Sequence, residues 1–130
     1  MANNKLTPAE WEIMDAVWAL SGSPSVREVM EHAYPNGEKA YTTVQTLMNL
    51  LEKKGLLTRK KIGLVNFYTP ARDRQEMVRR ETRTLISRVF NGSAPALANF
   101  LIDEEDLSLD DIKKIKELLN DKKARLEGKK

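Results

Sequence analysis

Through most of this chain the apolar residues recur at helical spacing; between Leu56 and Thr69 that spacing gives way to a run suited to strands. Thr7-Pro8-Ala9-Glu10 marks a helix start, with Thr7 as N-cap, Pro8 in the first helical position and Glu10 able to close a capping box. Leu6 and Trp11 stand where a hydrophobic staple would place them, and Ile13, Met14, Val17, Trp18 and Leu20 supply the inward surface of a first helix ending near Ser21-Gly22. Ser25-Val26-Arg27-Glu28 repeats the capping signal before a short second helix on Val26, Val29, Met30 and Ala33, which Pro35-Asn36-Gly37 breaks. In the third helix, from Tyr41 to a stop at Gly55, Val44, Leu47, Met48 and Leu51 make one apolar stripe able to seat it on a core.

Leu56 to Ile62, then Gly63-Leu64, then Val65 to Thr69 reads as two strands around a turn, closed by Pro70. Asp73-Arg74-Gln75-Glu76 caps a long helix running to Phe90, where Asn91-Gly92 stops it; Pro95 sits early in a short helix, and a last helix starts at Ser108 with Asp111 in capping-box position. The apolar positions Leu85, Val89, Phe90, Leu97, Leu101, Ile112, Ile115 and Leu119 exceed what so small a set of helices can bury against itself, so they are expected to close against a twin subunit. The expected fold class is mostly α with a small β-hairpin: an N-terminal winged helix-turn-helix over residues 1–72 and a C-terminal helical dimerisation domain over residues 73–130.

The polar face of the third helix carries Thr42, Gln45, Thr46, Asn49 and Lys53, mostly short or uncharged hydrogen-bonding side chains and not the Glu/Lys mixture of an ordinary solvated helix. Gln and Asn can pair bidentately with adenine, and Thr offers a hydroxyl and a methyl, so this face suits base edges in double-stranded DNA. The net charge of +3 is too small to prove a polyanion partner, but from Ala40 to Arg72 the only acid is Glu52, against Lys53, Lys54, Arg59, Lys60, Lys61 and Arg72. Lys60 and Lys61 stand where a wing would meet phosphate; they equally suit a solvated edge strand kept from aggregating.

Catalysis and metal binding find little support. There is no cysteine, hence no disulfide, thiolate site or cysteine nucleophile, and the lone His32 cannot assemble a triad or a zinc site. The acids Asp103, Glu104, Glu105, Asp106, Asp110 and Asp111 lack the spacing and glycine of a calcium loop and suit a helix start on dipole grounds. No cofactor, metal or enzymatic activity is expected. Met1 to Lys5 lacks an apolar signal core and no apolar run reaches the roughly 20 residues of a membrane span, which points to the cytoplasm without direct membrane insertion.

Leu6 to Met14, Tyr41-Thr42-Thr43-Val44, Leu51 to Leu56, Phe90-Asn91-Gly92-Ser93 and Glu105-Asp106-Leu107-Ser108 together resemble the penicillinase-repressor family, the BlaI/MecI/CopY group of bacterial transcriptional regulators. The resemblance implies a repressor acting as a homodimer on an inverted-repeat operator, with Thr42, Thr43, Gln45 and Thr46 at the operator-reading positions. Thr43 lies at the flank of the face derived from spacing, and β-lactam-responsive members carry basic side chains at the positions of Thr42 and Gln45, which implies a different operator here. The resemblance also matches Asn99-Phe100 to the bond cut when a signalling metalloprotease system inactivates those repressors; the residues alone are equally a core phenylalanine beside a polar neighbour. The copper-responsive branch senses through C-terminal cysteines, which this chain lacks. The alternative reading is a protein-interaction adaptor with the winged helix as docking surface; a small metal-dependent hydrolase using the acidic cluster stands behind both.

Overall fold

The computed structural model describes residues 5–128; Met1 to Asn4 and the tail residues Lys129 and Lys130 lie outside it. Its elements are α1 (Pro8–Leu20), α2 (Val26–Ala33), α3 (Tyr41–Lys53), β1 (Leu57–Ile62), β2 (Val65–Pro70), α4 (Arg74–Val89), α5 (Ala94–Glu104) and α6 (Leu109–Glu127). Three helices followed by an antiparallel hairpin form a winged helix-turn-helix, and a helical segment follows, the fold class that the apolar pattern implies.

Both capping boxes ahead of α1 and α2 are formed, Thr7 with Glu10 and Ser25 with Glu28. Ile13, Met14 and Val17 of α1, Val26 and Val29 of α2, and Val44, Met48 and Leu51 of α3 are all buried in one core, to which the hairpin adds Leu57 and Tyr68. Full burial of a side chain of this size contributes roughly 1.5–3 kcal/mol, so the core holds its three helices in one arrangement. Trp11 and Trp18, expected as core, are half-buried at its margin with ring centroids 6.0 Å apart.

The end of α3 is closed from the backbone. Leu56 N donates to Leu51 O and Gly55 N to Glu52 O, both at 3.0 Å, with Gly55 at φ +80. That is a Schellman ending, and its customary apolar contact is supplied by buried Leu51 and Leu56. The hairpin pairs Leu57 with Pro70 through Ile62 with Val65, leaving Gly63-Leu64 as its loop. Gly63 has φ +65, the position at which such a turn needs glycine.

By packing, the chain divides into two compact units at Arg83/Thr84, inside α4. The first half of α4 and the residues leading into it are fastened to α1 and the residues before it: Trp18 Nε1 donates to Arg72 O at 2.9 Å, Arg74 pairs with Asp15 at 3.0 Å, Leu6 N donates to Glu81 Oε1 at 3.0 Å, and Met77 is buried. Met77 belongs to an apolar pattern that is continuous along α4, so composition offered no mark of this boundary.

In the second unit no residue of α5 or α6 is buried. Phe90 and Phe100 meet edge-to-face at 6.1 Å, and Leu97 is half-buried, while Leu85, Val89, Leu101, Ile112, Ile115 and Leu119 are exposed. The last helix runs through the charged tail to Glu127, farther than its apolar stripe, because Lys, Ala, Arg, Leu and Glu are good helix formers and no breaker precedes Gly128.

One buried ion pair joins the start of the core to the end of α3. Lys54 Nζ lies 2.7 Å from Glu10 Oε1, whose side chain is 3% exposed, and also donates to Lys5 O. Burial pushes the Glu10 carboxyl up, but the Lys54 ammonium and the Thr7 backbone and hydroxyl together outweigh it and hold the group below its ordinary 4.5. A carboxyl that titrates lower folded than unfolded stabilises the fold above its unfolded value, and that contribution disappears as pH falls through the folded one. Urea unfolding of Glu10→Gln should therefore show a flatter stability profile below about pH 4.5 than the parent. Parallel profiles would assign the acid sensitivity elsewhere.

Candidate nucleic-acid interface

Because Val44, Met48 and Leu51 face the core, Thr42, Thr43, Thr46, Leu50 and Lys53 are left exposed on α3. Gln45 and Asn49 are half-buried, turned towards the hairpin side. The face is therefore rotated slightly from the spacing-based expectation: Thr43 is fully part of it. Leu50, 43% exposed, is an apolar member that sequence reasoning passed over. Its signal was its place next to, and not in, the Val44, Met48 and Leu51 stripe.

Asn49 has a partner inside the protein. The buried Tyr68 hydroxyl donates to Asn49 Oδ1 at 2.8 Å, tying the middle of α3 to β2. Burial pushes the Tyr68 phenol up, with the Arg59 guanidinium pulling against it, so the hydroxyl remains a donor at neutral pH.

The cations of this region separate into two groups. Lys54, Arg59 and Arg72 are engaged with Glu10, Glu52 and Glu76 at 2.7, 3.5 and 3.0 Å. Lys53, Lys60 and Lys61 are exposed and make no ion pair among the described residues. The available positive charge thus sits at the end of α3 and on β1, flanking the threonine face. The N-terminal end of α3 differs from those of α1 and α2: Ala40 is its N-cap and offers no side-chain hydrogen bond, so the first amides of the helix are not covered by a cap.

The hairpin's position is set by backbone bonds. Tyr68 N donates to Pro24 O at 2.9 Å, Ser25 bridges to Phe67, and Ser23 Oγ meets Thr69 Oγ1 at 2.6 Å. These hold β2 beside the start of α2 and enclose a cleft between the hairpin tip and the first turns of α2 and α3, lined by Arg27, Tyr41, Gln45 and Asn66 among others. Sequence reading assigned no role to Arg27, Tyr41 or Asn66, which come together only through this pairing.

A helix face of short polar side chains, flanked by free lysines and a basic hairpin, is what a winged helix presents to a duplex. The family model described as penicillinase repressor matches residues 6–121. The chain belongs to the penicillinase repressor family. It is 27% identical over 118 residues to the methicillin resistance regulatory protein MecI of Staphylococcus aureus, covering 91% of this chain and 95% of that protein. The penicillinase repressor of Bacillus licheniformis is 27% identical over 121 residues, covering 93% and 94% of the two chains. An uncharacterized 16.5 kDa protein of Latilactobacillus sakei is 31% identical over 121 residues, covering 93% of this chain and 82% of its own length. Members of the penicillinase repressor family are regulators and not enzymes, and this protein is a DNA-binding transcriptional repressor.

His32 is exposed in the last turn of α2, and no group of acids or histidines among the described residues is arranged to hold a metal ion. No helix among them is long and apolar enough to cross a membrane. Asn99 and Phe100 are both exposed on α5.

The Asn49 to Tyr68 bond has a measurable consequence. Tyr68→Phe keeps the buried ring but removes the donor to Asn49, and should lower stability by about 1–2 kcal/mol. A denaturant midpoint equal to the parent's would show that solvent replaces the donor.

Proposed function

We propose that this repressor binds as a homodimer to an inverted-repeat operator, each protomer laying α3 in the major groove and β1–β2 along the backbone. The observation that carries this reading is the exposed face of α3, where Thr42, Thr43 and Thr46 stand beside Gln45 with no acid among them. These side chains read base edges. Asn49, whose Oδ1 already accepts from Tyr68, adds only its amide N–H donors. Lys53, Lys60 and Lys61 bind phosphate and supply affinity that does not depend on sequence.

The dimer follows from what α4, α5 and α6 leave uncovered. Val89, Leu119, Ile115 and Leu101 are 62%, 63%, 40% and 41% exposed, in a unit whose last two helices have no fully buried residue. A second copy of the chain would cover them with the same surface. Inactivation by cleavage at Asn99-Phe100, by a signalling metalloprotease system as in β-lactam-responsive repressors, is consistent with α5. A protease needs an extended substrate, and a helix with no buried side chain opens locally at small cost.

Footprinting the purified protein on DNA upstream of its own gene tests the operator. Two protected half-sites about 10 bp apart, or a multiple of that, are expected, with Gln45→Ala broadening the range of sequences protected. Uniform protection by parent and variant would reject base reading by α3. Ile115→Asp should shift the protein to monomer in sedimentation and weaken operator binding by about 10-fold or more, as bivalency is lost. A dimer unaffected by that change would move the interface off α6.

A further inference from the structure

We propose that Arg27, seated on the ring of Tyr41, binds a backbone phosphate of the duplex at the cleft between α2 and the hairpin tip, with Tyr41 as its positioning residue. The inference rests on the DNA-binding reading above and adds a contact outside α3 and the lysines.

The Arg27 guanidinium carbon lies 5.7 Å from the Tyr41 ring centroid, and both side chains are exposed. Arg27 makes no ion pair among the described residues, although Glu28 and Glu31 share its helix. Glu28 is committed to the capping box, its Oε1 accepting from Ser25 N at 2.9 Å. A guanidinium is planar, and one lying over an aromatic face leaves its edge N–H groups free to meet phosphate oxygens in pairs. Aromatic support therefore holds the charge in position before a ligand arrives.

The cleft beside this pair has a volume of about 260 Å³, far more than one water requires. Gln45 and Asn66 add amide donors, Leu64 and Val65 close the far side, and no acid lines it. Charge complementarity thus favours an anion, and Gln45 makes the cleft continuous with the proposed reading face. The walls do not depend on the ligand, because the bond from Tyr68 N to Pro24 O and the bridge between Ser25 and Phe67 hold the hairpin to α2.

The test uses the full chain and a labelled random-sequence duplex, with affinity measured from about 50 to 200 mM salt. Arg27→Ala should lower affinity and make the slope of log K against log salt shallower by about one per protomer; Arg27→Lys should restore most of that slope. Tyr41→Ala should weaken binding in the parent but add nothing in the Arg27→Ala background, and Tyr41→Phe should match the parent. Since Arg27 and Tyr41 are both exposed, thermal melts of the variants should overlay. An unchanged slope in Arg27→Ala, or additive effects of the two alanine changes, overturns the proposal while leaving DNA binding intact. A parent that binds no duplex at low salt overturns the DNA-binding reading itself, and this inference with it.

Discussion

Burial of Val44, Met48 and Leu51 decides what the opposite side of α3 can do. None of these side chains has any exposure, and truncating one such residue in a core costs about 2–5 kcal/mol. One residue of slippage would turn α3 by about 100° and bring Thr43 or Leu50 to the core while moving Val44 outward. That exchange would cost much of a small domain's stability, about 5–15 kcal/mol in all. The Schellman ending at Gly55 adds a second restraint, since Leu56 enters the core directly after the turn. The orientation of the threonine face is therefore a consequence of packing behind it, not of anything those threonines do.

The hairpin is fixed by a different kind of force. Its first strand is exposed after Leu57, so burial along β1 holds little. Its place comes from Tyr68, whose backbone N–H reaches Pro24 O and whose hydroxyl reaches Asn49. One residue thus links β2 to the approach to α2 and to the middle of α3. Since side chains at Thr42, Thr43 and Thr46 take no part in these ties, they are free to vary without moving the scaffold. On the proposed reading, that freedom would let members of one family share a frame and read different operators.

Local chemistry was legible in the sequence wherever it acted over a few residues. The capping boxes of Thr7 and Ser25, the stop at Gly55 and the turn at Gly63-Leu64 all follow from neighbours in the chain, and the structure has each of them. What could not be read was pairing across distance. Lys54 looked like one more cation of a basic segment until Glu10, far back in the chain, claimed it. Spacing did not show that Tyr68 engages the amide oxygen of Asn49, nor that Tyr41 lies beneath Arg27. Met77 carried no sign that α4 begins in one compact unit and ends in another. Each case needs the partner's position, which spacing along one element does not contain.

The second unit inverts the logic of the first. Its helices are capped and regular, with Ser93 and Ser108 both accepting from amides of the first turn, yet α5 and α6 bury no side chain. Local signals are thus sufficient to form these helices but leave the apolar stripes of Leu101, Ile115 and Leu119 in water. At 11 residues α5 is marginal alone in water, and most helical stability in proteins comes from packing. If a second copy supplies that packing, folding of the unit and association become one equilibrium, and its stability then depends on protomer concentration. In the proposed dimer, bivalent attachment to DNA would raise the local concentration of one protomer beside the other, so operator and dimer would stabilise each other. A break in α5 would then act on both at once. A repressor built as proposed would be switched off by damage far from its reading helix, because its two reading helices would be joined only through that interface.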